Sequence, residues 1–310
     1  AKVTTALALA KFISDTNINL EKNLNHQVLA GVIALFPAFL ILLQGDLGSA
    51  MVYSAFIFVL YREGLPNWIL ILVVSVVSLF VFTLFLPKIY LILTILSIAL
   101  AAMLYTQLYL KKYQNALTYV LICTGAAIVF VFSVDYLVNK VLKPYQRQRI
   151  MVLINPEDSD KLSAGWNVSQ SKIAIGSGGF WGKGFLAGTQ TKLNFVPEQS
   201  TDFIFSTIGE EYGWMGSLAT VGLFILILYR IIFVAERQRD RFVRIYAYGV
   251  ASILFFHFAI NIAMTIGLFP VVGIPLPFIS YGGSSLIGFT VLLFILVKLD
   301  SHRAQMMERK

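Results

Sequence analysis

The chain has 310 residues, 58% of them apolar and only 13% charged, with 24 Lys and Arg against 16 Asp and Glu for a net charge of +8. Its mean hydropathy is +0.78. So few charges cannot cover a water-facing surface, which excludes an ordinary soluble enzyme, and the apolar excess excludes a disordered or collagen-like chain. One cysteine (Cys123) and three scattered histidines (His26, His257 and His302) provide neither a disulfide framework nor a metal-ligand set.

Taken in chain order, apolar runs fall at 1–13, 27–43, 47–61, 67–86, 88–110, 116–138, 214–235, 245–266 and 285–299. They are apolar on all sides, as helices in lipid are. The expected fold is therefore all-α, a polytopic membrane bundle with one long extracytoplasmic loop. Residues 1–138 read as N-terminal spans, 139–203 as the loop with re-entrant or interfacial segments, and 204–310 as C-terminal spans. Ala1–Ile13 is about 20 Å long as a helix, short of a bilayer core of about 30 Å. It also lacks an initiating Met, so the expectation is a natural chain that starts upstream.

Alternating the spans gathers Lys22, Arg62, Lys111, Lys112, the four arginines of 236–244 and the basic C-terminus on one side. That side, with the C-terminus, is expected to be cytoplasmic. Most of the net charge is then a topology signal and does not point to nucleic acid.

The long loop opens with Arg147 and Arg149 alternating with glutamines. They read either as an interfacial basic collar or as forked donors to phosphate oxygens. Seven glycines follow between Gly165 and Gly188. A nucleotide loop would need Gly at Ser177 and Ser or Thr at Gly184, so the pattern fails that test. An interfacial loop with Trp166, Phe180 and Trp181 at headgroup level fits better. Asp202 stands where polar loop becomes apolar helix, and is either a helix cap or a carboxylate base at a cavity mouth. Glu210 and Glu211 lie about two turns further on, and at least one must face protein or water instead of lipid.

Residues 267–285 hold three prolines and four glycines between two spans. Irregular backbone at that depth is tolerated where it is buried in protein or lines a cavity. Asp46 interrupts an apolar region on the same outer side, as a helix cap or as a cavity ligand.

Taken together, Gly45-Asp46-Leu47-Gly48, Tyr145 to Arg149, Asn155-Pro156-Glu157, Gln170 to Gly179, Gly182-Lys183-Gly184, Gly188-Thr189-Gln190, Pro197-Glu198, Thr201 to Phe205, Glu210-Glu211, Pro275-Leu276-Pro277 and Ser280 to Ser285 resemble the shape, elongation, division and sporulation family. The likeness is to its RodA-like elongation branch, because Val272 stands where the division branch tends to carry Lys. Two features depart from the family: spans expected before residue 1 are missing, and three apolar runs lie between Arg62 and Lys140 where one is usual.

The resemblance implies a peptidoglycan glycosyltransferase that polymerises lipid II at the outer face of the cytoplasmic membrane, for elongation and rod shape. It implies that Asp202 is essential, and that Lys2 matches a lysine pairing with a glutamate that would precede residue 1. It also implies as partners lipid II, the nascent lipid-linked glycan, a class B penicillin-binding transpeptidase and other elongation-machinery membrane proteins.

The chemistry needs a base for a sugar hydroxyl, which one carboxylate can supply, and positive charge beside a pyrophosphate leaving group. Asp202 is the expected base, or a cation ligand that serves the base. Lys2, Arg147, Arg149, Lys172 and Lys183 are candidates for the pyrophosphate, and Glu198 and Ser284 for the sugar. Asp46, Glu210, Glu211, Tyr281, Gly282 and Gly283 are expected to line the cavity or hold it in shape. A divalent cation, Mg or Mn, is a further expectation. A lipid II flippase or polyprenyl-linked transporter is the alternative, since broken helices and embedded acids suit it equally.

Overall fold

Where no water is at hand, an apolar run can satisfy its backbone only by bonding within itself, so helices are the expected outcome. The computed structural model describes residues 1–15, 18–109, 116–142, 147, 150, 151, 164–193, 195, 196 and 198–308. The first helices are α1 (Lys2–Ser14), α2 (Leu24–Leu43), α3 (Leu47–Val52) and α4 (Phe56–Arg62), the last two joined through one 3-10 turn. Next come α5 (Asn67–Phe85), α6 (Lys88–Tyr109) and α7 (Ala116–Tyr136), which ends in a π-turn. The polar stretch contributes α8 (Ala164–Ser177) and α9 (Thr189–Lys192), and the chain closes with α10 (Ile204–Arg237), α11 (Arg241–Thr265) and α12 (Gly283–Glu308). No strand occurs among the described residues, and seven of their helices are long and apolar enough to cross a membrane. The protein is an all-α, multi-pass membrane bundle.

The chain divides into two compact units, residues 68–157 and the remainder. In the 68–157 unit, α6 and α7 pack on one another. No side chain of α5 is buried, so the helix presents apolar groups in every direction, which suits lipid. Lys88 on α6 pairs with Asp135 on α7. Asn139 donates to Asp135 (2.8 Å) and accepts from Arg147 (3.2 Å).

The other unit is built around α11, which buries side chains along its whole length and packs against α1, α4, α8, α10 and α12. Tyr246 anchors α11 to α12 by donating to the Leu292 carbonyl at 2.9 Å. Helix α2 shows the inside-out logic of such a bundle. Its buried positions are small (Ala30, Ala34 and Ala38, one turn apart), while Leu35, Phe36 and Phe39 point outward.

The two ends of this unit differ in chemistry. At one end, Glu63 accepts from Arg241 (3.3 Å) and Arg244 (3.2 Å), Arg62 pairs with Glu236, and Arg237 pairs with Asp300. At the other end lie the start of α1, the start of α3, the 267–282 loop and the segment that enters α10. The site is at this second end.

Candidate functional site

Three successive carbonyls fix the segment that carries Asp202. Ser200 accepts from the Tyr281 N–H (2.8 Å), Thr201 from the Ser280 hydroxyl (2.6 Å) and Asp202 from the Asn261 side-chain amide (2.8 Å). The same Asn261 amide also donates to the Ile274 carbonyl at 2.7 Å, and the Ser280 hydroxyl accepts from the Leu276 N–H at 2.7 Å. The Pro- and Gly-rich loop is thus stitched to the polar end of α10 through α11. Phe203, not Thr201 or Asp202, holds the N-cap position of α10, and no side chain caps it. The carboxylate of Asp202 instead lies against Gly273, where a methyl group would sit 3.4 Å from Oδ2. Gly273 has φ +70, a conformation glycine adopts without strain.

One turn along α11 from Asn261, His257 makes the parallel contact. Its Nδ1 lies 3.2 Å from the Pro275 carbonyl and its Nε2 lies 2.8 Å from Lys2 Nζ. Both contacts are hydrogen bonds only if Nδ1 carries the proton and Nε2 accepts from the ammonium. Lys2 and Asp202 are therefore tied to neighbouring turns of one helix, about 6 Å apart along its axis. Asp46 caps α3, accepting from the Ser49 N–H at 2.9 Å, and lies close enough to Lys2 to act on its charge. Gly48 in that first turn packs on the Val272 carbonyl so closely that a methyl would stand 2.2 Å from the oxygen. Lys172 on α8 lies across the first residue of the loop, its ammonium 2.5 Å from where a Gly267 methyl would be. The neighbouring Ser171 donates to the Thr265 carbonyl at 2.9 Å.

Lys183 is placed elsewhere. Its ammonium donates to Glu210 Oε1 and to the Thr189 hydroxyl, both at 2.7 Å. Glu210 is fully buried and also accepts the Gln190 and Thr191 N–H groups at 2.9 and 3.0 Å, so it caps α9. Lys183 thus has a structural partner in Glu210. The glycines around it serve close backbone contact. A methyl on Gly178 would stand 2.0 Å from the Gly209 carbonyl, and one on Gly182 would stand 2.1 Å from that of Glu211. The 178–184 turn bonds onto α10 through Lys183 N–H to Glu210, Gly184 N–H to Glu211 and Trp214 N–H to Gly179. Helix α10 kinks there, at Gly213 (φ +65, ψ −156).

Glu198 is exposed, at φ +55, and accepts from the Thr201 hydroxyl at 2.9 Å. It turns the chain into the Asp202 segment. Non-glycine residues at positive φ are strained and gather at functional sites; Phe278, at φ +65 in the facing loop, is another. The Tyr281 side chain is exposed, Gly282 (φ +154) precedes α12, and Gly283 and Ser284 open that helix, Ser284 exposed. Arg147 bonds to Asn139 within the 68–157 unit. Arg149 and the Asn155-Pro156-Glu157 motif lie outside the described residues. Among the described residues no three His, Cys, Asp or Glu side chains cluster as a protein-only metal centre. These side chains do not make a ligand set by themselves.

Sequence reasoning passed over His257 and Asn261. The available signal was two polar side chains four residues apart inside an apolar span, hence on one helix face.

A family model, FtsW/RodA/SpoVE, described as cell cycle protein, matches residues 85–305. The peptidoglycan glycosyltransferase MrdB of Escherichia coli (strain K12) is 47% identical over 180 residues, 58% of this chain and 48% of MrdB. The chain thus spans about half the length of that relative. The peptidoglycan glycosyltransferase RodA of Treponema pallidum (strain Nichols) is 34% identical over 322 residues, 98% of this chain and 74% of that protein. Among solved structures, a peptidoglycan synthase complex described as coordinating polymerization and crosslinking aligns at TM-score 0.64 and 27% identity, covering 98% of this chain and 69% of its counterpart. The rod shape determining protein RodA of Thermus thermophilus aligns at TM-score 0.54 and 23% identity, covering 98% of this chain and 65% of that one, and speaks to the fold alone.

Proposed function

The chain belongs to the FtsW/RodA/SpoVE family of cell cycle proteins, and on that footing we propose that it is a peptidoglycan glycosyltransferase polymerising lipid II at the outer face of a bacterial cytoplasmic membrane, its C-terminus cytoplasmic. The observation that carries this reading is the fixed segment at Asp202. Its backbone is anchored at three consecutive carbonyls, and its carboxylate lies against Gly273 of the 267–282 loop. A base that must meet a substrate hydroxyl gains from such rigidity, because misplacement of about 1 Å is costly in rate.

In the proposed reaction the acceptor sugar's 4-hydroxyl attacks the anomeric carbon of the donor. The new glycosidic bond forms as the bond to the lipid pyrophosphate breaks, and Asp202 takes the hydroxyl proton. One base suffices because the leaving group is already activated, unlike the paired carboxylates of glycoside hydrolysis. Lys2 and Lys172 lie at the same end of the unit as Asp202 and are proposed to offset the pyrophosphate charge, with Arg147 and Arg149 as further donors. Glu198 and Ser284 are proposed to meet the sugars. A Mg or Mn ion enters the proposal only as a counter-ion brought by the pyrophosphate; chelation and re-addition, read as glycan yield, tests it.

The solved synthase complex, described as coordinating polymerization and crosslinking, supports a class B transpeptidase as the proposed partner; other elongation-machinery membrane proteins are proposed from the family resemblance alone. The deciding experiment incubates purified protein with labelled lipid II in detergent, where a transporter has no second side to deliver to. A ladder of glycan strands supports the polymerase. Its absence, together with lipid II translocation in vesicles, would establish the flippase instead.

A further inference from the structure

On another face of the segment that carries Asp202 runs a groove of about 380 Å³, lined among others by Leu186, Lys192, Gln199, Ser200, Thr207 and Glu211. This volume is within the usual range for small-ligand sites. Ser200 and Ile204 face the groove, whereas Asp202, between them in sequence, does not line it. Two of its polar groups are left unmatched. Glu211 is only 8% exposed, and its carboxylate has no hydrogen bond or ion pair to any described residue. The Thr207 hydroxyl, one turn back on the same face of α10, is buried with no partner among the described residues. The Thr207 hydroxyl is a buried polar group and the Glu211 carboxylate opens to the groove, so both are placed to bond a ligand that enters it.

The neighbouring Glu210 is fully supplied by Lys183 and two N–H groups. The contrast shows that the fold can match an acid here and does not match Glu211. Leu186, at φ +57 and 65% exposed, is held in strained backbone at the groove wall.

We propose that this groove is a saccharide subsite that holds amino-sugar rings. Glu211 accepts from ring hydroxyls, Thr207 and Ser200 exchange hydrogen bonds with them, Lys192 and Gln199 donate at the rim, and Leu186 lies under the apolar ring face. Mixed donors and acceptors of near-zero summed charge (Glu211 against Lys192) select a polyhydroxylated neutral ligand over an anion or a cation. The proposal rests on the glycosyltransferase reading for the kind of sugar. Two sources share that chemistry, the disaccharide of a lipid II headgroup and a growing strand, and a strand has rings to spare beyond those at Asp202.

The test uses the full chain carrying Asp202→Asn in detergent, titrated with lipid-free GlcNAc–MurNAc disaccharide and, separately, tetrasaccharide. Saturation-transfer NMR reports contact and calorimetry reports affinity. Binding that Glu211→Gln and Thr207→Val each weaken at least tenfold supports the subsite. Tetrasaccharide binding ten times tighter than disaccharide supports the strand, and equal binding supports the headgroup. Thr207→Val keeps side-chain shape, so it reads the site even if Glu211→Gln elutes as misfolded protein. No binding in either arm, or binding that neither variant moves, overturns the proposal. Failure of wild-type protein to polymerise lipid II is scored separately and leaves this binding test decisive for the groove.

Discussion

Asp202 owes its position to an amide that bonds its backbone. Asn261 is wholly buried and spans the carbonyls of Asp202 and Ile274, and Leu cannot supply either bond. Each buried carbonyl stripped of its donor costs about 1–3 kcal/mol. Asn261→Leu is expected to cut lipid II turnover about tenfold or more through kcat, with elution on size exclusion unchanged; steady-state kinetics on the purified variant measures it. Lys183 is the opposite case. Because it neutralises a buried Glu210, Lys183→Met is expected to lower unfolding stability by about 3–5 kcal/mol, as broken buried pairs do, and Lys183→Arg by much less. Thermal unfolding in detergent separates the two. Should Lys183→Met instead keep its stability and lose affinity for lipid II, the anion-binding role would be supported.

At the scale of elements, the glycine-rich turn is a docking surface between α8 and α10. Gly178→Ala would drive a methyl into the Gly209 carbonyl, whereas Gly176→Ala meets nothing within 4 Å. The first is expected to cost 1–3 kcal/mol or more, roughly the penalty of overpacking, and to expose the 178–192 segment to protease; the second should be neutral. Limited proteolysis with mapped cleavage sites reads the difference. Gly273→Ala tests the facing loop, since it imposes a side chain on φ +70 and sets a methyl in contact with Asp202; polymerisation should fall while α8 stays protected.

These elements also show where sequence reasoning succeeds and stops. The spans were legible because hydropathy sums over twenty residues, and the sequence run at 214–235 matches the part of α10 beyond its Gly213 kink. Helices α8 and α9 were not, because glycine and polar residues dilute any periodic signal there. Asp46 and Asp202 stood out as acids at the edges of apolar runs. The Lys183–Glu210 pair did not, because the partners are 27 residues apart and Lys183 alone reads as a charge for an anion. His257 and Asn261 were hidden inside a run whose average is apolar.

On the scale of the whole molecule, charge is divided between the ends of the unit built on α11. Glu63, with 4% side-chain exposure, is held by Arg241 and Arg244 at the end away from Asp202. Glu63→Gln should therefore reduce thermal stability while leaving the rate of lipid II turnover unchanged, a split that Asp202 variants should reverse. That polarity suits the positive-inside rule and supports the proposal that the chemistry lies at the outer surface. The account stands on one carboxylate at that surface, and it is most directly tested by comparing purified wild-type and Asp202→Asn proteins on labelled lipid II in detergent. It predicts a glycan ladder from the wild type and a rate lower by about 10²–10⁴-fold from an equally well-folded variant. Ladders of equal yield from both proteins would contradict it.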